Sequence, residues 1–184
     1  MMATTHVFAG LAAVAPVALV VPEFAGPLAL GAVVGAIAPD FDLVLEHRRT
    51  LHFPVAGLVI ATPLAAVALV ATATFTVALA AVAFTAWLHA ASDALGGGPE
   101  MDPWNDRTER AVYDHVRGRW IEPRRVVRYD GAPEDAILAL SLAAPVLVIF
   151  DGWVTAVVAV GVPITVVYAL LRRRLTAWTP DWLE

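Results

Sequence analysis

The stretch HFPVAGLVIATPLAAVALVATATFTVALAAVAFTAWLH, residues 52–89, decides the fold. Between its two terminal histidines, residues 53–88 carry no charge at all. A helix crosses a bilayer with about 20 apolar residues, so the run is too long for one span and divides into two. The division falls at Ala71-Thr72-Ala73-Thr74, a polar, β-branched patch suited to a tight turn. A descending and a returning helix then bring His52 and His89 back to the same side.

Outward from this pair, four more apolar stretches emerge, at about 7–22, 24–39, 136–150 and 152–171. The expectation is an all-α, polytopic membrane helical bundle of about six spans, one domain over residues 1–184. Composition agrees: 59% of the 184 residues are hydrophobic, against about 45–50% in soluble domains. Ala and Val dominate, which favours thin-sided helices packed closely. Several stretches are short for a hydrocarbon core of about 30 Å and must recruit flanking residues or thin the bilayer. The opening MMATTHVFAG lacks a charged n-region and reads as a retained span rather than a cleaved signal peptide.

Charge placement orients the bundle. All 12 basic residues are arginines, and they fall at 48–49, 107–128 and 172–174. Two spans separate each group from the next, and the turns near 23, 72 and 151 hold none. Arginine enrichment marks the cytoplasmic side, so both termini are placed in the cytoplasm, in a cell (inner) membrane. The net charge of −5 gives no reason to expect nucleic acid. Segment 96–135, between spans four and five, holds seven arginines and nine acids. It reads as a polar cytoplasmic insertion over the bundle mouth, with a short helix expected at 106–117. Trp104, Trp120, Trp178 and Trp182 read as interface anchors, and His115 as a surface histidine.

The chemistry-bearing residues gather at the arginine side. His6 opens span one, Asp40 and Asp42 close span two, His47 and His52 precede span three, and His89 and Asp93 close span four. Charged residues commonly flank spans because burying them is costly, which accounts for Arg48 and Arg172. It does not account for histidines, yet four of the five sit here. His89 and Asp93 are four apart and share a helix face, as joint ligands or as ligand and orienting partner. Asp40 and Asp42 alternate, so extended backbone would turn both toward one cavity. Acids at a helix C-terminus oppose the dipole and call for a compensating cation. His47 and His52, five apart, need a loop to converge; His47 and Asp40 are the expected strays from a common site.

These motifs resemble the YdjM-like, LexA-binding, inner-membrane-associated metal-dependent hydrolases. That family's pattern is an N-terminal His, then Pro-Asp-x-Asp, His-Arg-x-x-x-His and His-x-x-x-Asp with a Gly/Pro/Trp tail. The matching residues are His6, Pro39-Asp40-Phe41-Asp42, His47 to His52, His89 to Asp93, and Gly96 to Trp104. The chain departs at Leu43, where members often have His, and at Arg49, Leu51 and Phe53 around the second His. The resemblance implies a metal-dependent hydrolase, and its LexA-binding label implies, alternatively, a non-enzymatic membrane protein that binds a soluble regulator.

With no cysteine, a metal must be held by nitrogen and oxygen. His6, Asp42, His47, His52, His89 and Asp93 are the candidate ligands. Asp40 and Asp42 are the candidate proton acceptors, so Asp42 carries both readings. The donor set suits a divalent metal, zinc first, with manganese or iron as alternatives. Ligands at an aqueous mouth beside lipid point to an amphiphilic ester or phosphoester substrate. Arg107, Arg110, Arg117 and Arg119 are candidates for phosphate or, more simply, for anionic lipid heads. A transporter would carry ionisable residues near mid-bilayer, and these spans carry none centrally. Reporter fusions at residues 72 and 115 are expected to signal opposite sides of the membrane; same-side signals would remove the six-span topology.

Overall fold

The computed structural model describes residues 1–176 and Trp178; the anchor expected at Trp182 lies outside the described residues. Six α-helices account for most of it. They are α1 (Ala3–Val20), α2 (Ala25–Ile37), α3 (Ala56–Val70), α4 (Thr74–Asp93), α5 (Pro133–Ile149) and α6 (Trp153–Thr176). Pro22 starts a short 3-10 turn between α1 and α2, and a second 3-10 stretch, Ala38–Val44, continues α2. Four segments are long and apolar enough to cross a membrane: Ala3–Val20, Pro22–Val44, Thr74–Asp93 and Trp153–Thr176. Helices α3 and α5 are shorter, at 15 and 17 residues. The turn between α3 and α4 falls where the threonines predict it, and the Thr76 hydroxyl accepts the Ala73 N–H at 3.1 Å.

Small residues set the packing. On α2, Gly31 and Gly35 form a Gly-x-x-x-Gly face that lies against α4. A Cβ built at Gly31 would meet the Ala81 Cβ at 2.7 Å, and one at Gly35 would collide with Thr85 Oγ1 and the Val82 carbonyl. Such faces let backbones approach closely where lipid supplies no hydrophobic driving force between helices. Helix α1 is the central post. Phe8, Leu11, Val14 and Ala15 are buried against α2, α5 and α6, with Ala139, Ala143, Val146, Val154 and Val158 completing the core. Gly161 leaves room for the Phe8 ring. Outward, α3 exposes Leu58, Val59, Ile60 and Leu69, and α6 exposes Val160, Ile164, Val167 and Leu170. This apolar exterior has no aqueous rationale and suits lipid.

Segment 96–135 differs from expectation at one point. The helix expected at 106–117 is absent, and a two-stranded antiparallel hairpin, β1 (Val112–Asp114) and β2 (Arg119–Ile121), stands there instead. The physical reason is local. Val112, Tyr113, Trp120 and Ile121 favour strand. Asp114 accepts the N–H groups of Val116 and Arg117, and Gly118 takes a φ of 63° that closes the turn. The segment is tied down at its base, where Arg124, Arg125 and Val126 donate backbone hydrogen bonds to Ala94, Gly96 and Leu95. It is also tied to α6, where Arg172 reaches Asp130 and the Met101 carbonyl. Arg172 is therefore buried inside the protein, which corrects its reading as a flanking residue.

Gly35→Leu is expected to force α2 from α4 and cost about 1–3 kcal/mol by overpacking. Gly26→Ala, where a Cβ meets nothing within 4 Å, is the control expected to stay within about 0.5 kcal/mol. Thermal unfolding in detergent compares the two.

Candidate metal centre

The seven residues that sequence places at one end of the bundle converge in space. His6 comes from the first turns of α1, and Asp40 and Asp42 from the 3-10 stretch after α2. His47 and His52 lie in the loop before α3, and His89 and Asp93 on the last turns of α4. The Asp40-Phe41-Asp42 backbone is 3-10 rather than extended, because Pro39 enters a tightening helix end. Both carboxylates still reach the cluster. Neither expected stray departs: Asp40 Oδ1 stands 3.2 Å from His89 Nε2, and His47 Nδ1 stands 2.9 Å from Asp42 Oδ1.

Two outer partners fix the two central imidazoles. His89 Nδ1 lies 2.6 Å from the Ala36 carbonyl, a last-turn oxygen of α2. A carbonyl only accepts, so Nδ1 carries the proton and Nε2 keeps its lone pair in the neutral ring. His52 Nδ1 likewise donates to Asp42 Oδ2 at 2.9 Å. Asp42 is fully used, because it also accepts from His47 Nδ1 and from the Leu51 N–H at 3.0 Å.

The free nitrogens point at each other. His52 Nε2 and His89 Nε2 are 3.2 Å apart. Asp93 Oδ2 lies 3.4 Å from the first and 3.5 Å from the second. Asp40 Oδ1 lies 3.8 Å from His52 Nε2 and 3.2 Å from His89 Nε2. With both rings neutral, two lone pairs and two carboxylates meet here, an arrangement that calls for positive charge at its centre, whether a bound cation or a shared proton. The demand is also visible at His52: burial pulls its pKa down, yet hydrogen bonds donated to Asp42 and Asp93 outweigh burial and raise it above the ordinary value.

Around this core, His6 stacks on His89 with ring centroids 3.7 Å apart and places Nε2 3.3 Å from Asp93 Oδ1. Its Nδ1 meets the Ser92 hydroxyl. Two groups, His6/His89/Asp93 and Asp40/His47/His52, each gather ligand atoms within 4.8 Å, close enough to hold a metal ion. The cluster is deeply buried. Its open side is at Asp40 and His47, whose side chains are 24% and 26% exposed.

Sequence reasoning missed Arg48. Its flanking position predicts a lipid- or solvent-facing side chain, but Arg48 is buried and stands 3.8 Å from Asp93 Oδ1. A usable signal was its place inside the His47–His52 motif. Arg107, Arg110, Arg117 and Arg119 belong to the insertion: Arg117 pairs with Asp114, Arg110 stacks over Trp120 and Arg107 donates to the Pro103 carbonyl. His115 is exposed and its Nε2 meets the Arg49 carbonyl at 2.6 Å. In comparisons with protein-family models, curated proteins and solved structures, the chain matches none.

Removing a ligand and removing its orienting partner are expected to differ. His89→Ala should abolish metal uptake in elemental analysis. Asp42→Asn should keep the stoichiometry and weaken affinity by roughly 10–100-fold, the usual loss for an orienting carboxylate. Chelator competition measures that loss, and unchanged affinity would deny Asp42 the role.

Proposed function

We propose that this chain is a multi-pass inner-membrane, metal-dependent hydrolase that cleaves an amphiphilic ester or phosphoester at the cytoplasmic face. One observation carries the reading: the convergence of His52 Nε2, His89 Nε2, Asp40 Oδ1 and Asp93 Oδ2 on one point. The fit to a metal is testable on distance. Ligands at about 2.0–2.1 Å around a tetrahedral zinc are about 3.3 Å from one another. The five separations that involve an imidazole nitrogen run from 3.2 to 3.8 Å. Two imidazoles and two carboxylates also suit zinc, manganese or iron by ligand type. A divalent ion held by three of these atoms, or by four with a fifth position open, would supply Lewis acidity that polarises the scissile group and makes bound water acidic near neutral pH.

The chain's own residues divide the remaining work. Asp42 and the Ala36 carbonyl hold His52 and His89 in the tautomer that binds. His6 supports Asp93 from the far oxygen. Asp42 is spent on two imidazoles and an N–H, so it is poorly placed to take a proton, contrary to its sequence-based role as a base. His47 is better placed. Its Nδ1 is held by Asp42, its Nε2 has no hydrogen-bond partner among the described residues, and the ring is partly open to the outside. It can accept the proton of the attacking water and return it to the leaving oxygen as the ester bond breaks. Apolar residues flank this opening, with Phe41, Val44 and Leu45 exposed beside it, so an acyl or prenyl tail can remain in lipid while its head reaches Asp40 and His47.

The test is hydrolysis of amphiphilic esters and phosphoesters by metal-loaded protein in detergent. Wild type is expected to turn over at least one. His52→Ala and His89→Ala are expected to lose turnover and metal together while still expressing as helical membrane protein, because membrane helices satisfy their own backbone hydrogen bonds. His47→Gln should retain metal and lose about 10²–10⁴-fold in rate, the range for a general base. Full activity in His89→Ala on the same substrate would defeat the assignment.

A further inference from the structure

We propose that Arg48 is an oxyanion-binding residue of this site and that the substrate is a phosphoester rather than a carboxylic ester; the inference rests on the metal-dependent hydrolase reading above. Arg48 is 5% exposed, among the least solvated charges in the chain. Its φ is 59°, a left-handed conformation that a non-glycine residue adopts at a cost of about 1 kcal/mol or more. The surroundings hold it there. The Arg48 carbonyl accepts the Tyr113 N–H at 2.9 Å, and Nη1 donates to the carbonyls of Gly97 at 2.6 Å and Ala111 at 3.4 Å.

The other edge of the guanidinium is incompletely used. Nε is buried with no hydrogen-bond partner. Nη2, which shares that edge, has Asp93 Oδ1 at 3.8 Å, ion-pair range but beyond a hydrogen bond. A buried donor left unmade costs about 1–3 kcal/mol, more when charged. If Arg48 served only to neutralise Asp93, its fork would close on that carboxylate, as arginine forks do. Asp93 Oδ1 already has His6 Nε2 at 3.3 Å. The Nε/Nη2 edge beside the candidate metal-binding carboxylate of Asp93 therefore has the form of a two-pronged anion receptor.

The chemistry of that edge selects between the two substrate classes. A carboxylic ester presents one weakly basic carbonyl oxygen and no charge. A phosphoester presents at least two non-bridging oxygens that share negative charge on one tetrahedral centre, one for the His52/His89 pole and one for Arg48. Planar, bidentate recognition of phosphate is what guanidinium does and ammonium does not. The phosphate can belong to a lipid head group or be free phosphate; the receptor chemistry is shared.

The experiment titrates inorganic phosphate, dodecyl phosphate and acetate into zinc-loaded full-length protein in detergent by calorimetry. Wild type, Arg48→Lys and Arg48→Met are compared, with zinc content measured on each sample. Wild type is expected to bind phosphate and to prefer it over acetate by at least tenfold. Arg48→Met and Arg48→Lys are expected to lose at least tenfold in phosphate affinity with zinc content unchanged; the lysine variant, which keeps the charge, guards against a variant that fails to fold. Tighter binding of dodecyl phosphate assigns the phosphate to a lipid, and equal binding assigns it to a free anion. Equal phosphate affinity in wild type and both variants would overturn the role of Arg48 while leaving the metal reading standing. Wild type that holds zinc but binds no phosphate, or no better than acetate, would overturn the phosphoester. Wild type that holds no zinc would overturn both.

Discussion

The hydrogen bond from His89 Nδ1 to the Ala36 carbonyl is the contact on which the centre depends. It spans two helices, so it exists only if α2 and α4 lie close enough for a ring on one to reach a backbone oxygen on the other. Gly31 and Gly35 provide that proximity, and Thr85 fills the remaining space with its hydroxyl turned back to the Ala81 carbonyl at 2.8 Å. Close backbone packing and imidazole orientation are thus one constraint. A side chain at Gly35 would act on the metal centre from about a turn away, through the distance between two helix axes.

The same logic explains why so many polar groups are tolerated at the end of an apolar bundle. Each fully buried aspartate is answered. Asp42 has two imidazoles and an N–H, Asp93 has the Met1 ammonium at 3.2 Å and His6 at 3.3 Å, and Asp135 accepts from Thr5 at 2.7 Å and from two backbone N–H groups. Buried polar networks stabilise only when nearly every member is satisfied. The exceptions are then informative, and the Nε of Arg48 is the one that sits against the metal cluster.

Much of this was legible in sequence, because hydropathy and residue type speak directly at the helix level. The uncharged run 53–88, broken at its threonines, marks α3 and α4 to within a few residues. The recurrence of histidine at span ends on one side marks the cluster. What could not be read were the roles within it. Whether a carboxylate binds a metal or steadies an imidazole depends on which oxygen meets which nitrogen, and the Asp42–His52 pairing crosses a loop whose path leaves no periodic trace. The Gly31/Gly35 face was available as a spacing but is outweighed in a chain rich in alanine. The hairpin at 112–121 was misread as a helix because mixed charge masked the Val-Tyr and Trp-Ile strand pairs and the Asp114/Gly118 turn.

The chain order of the cluster and its cover has a consequence for assembly. Every proposed ligand and orienting residue lies between residues 6 and 93, whereas the carbonyls that close over Arg48 belong to Gly97 and Ala111. The start of α1, which carries His6, is in turn held by Asp135 on α5 through the Met2 N–H and the Thr5 hydroxyl. The side chains of the site are therefore all synthesised before the segments that cover and brace them, and its final geometry waits on residues that contribute nothing to its chemistry.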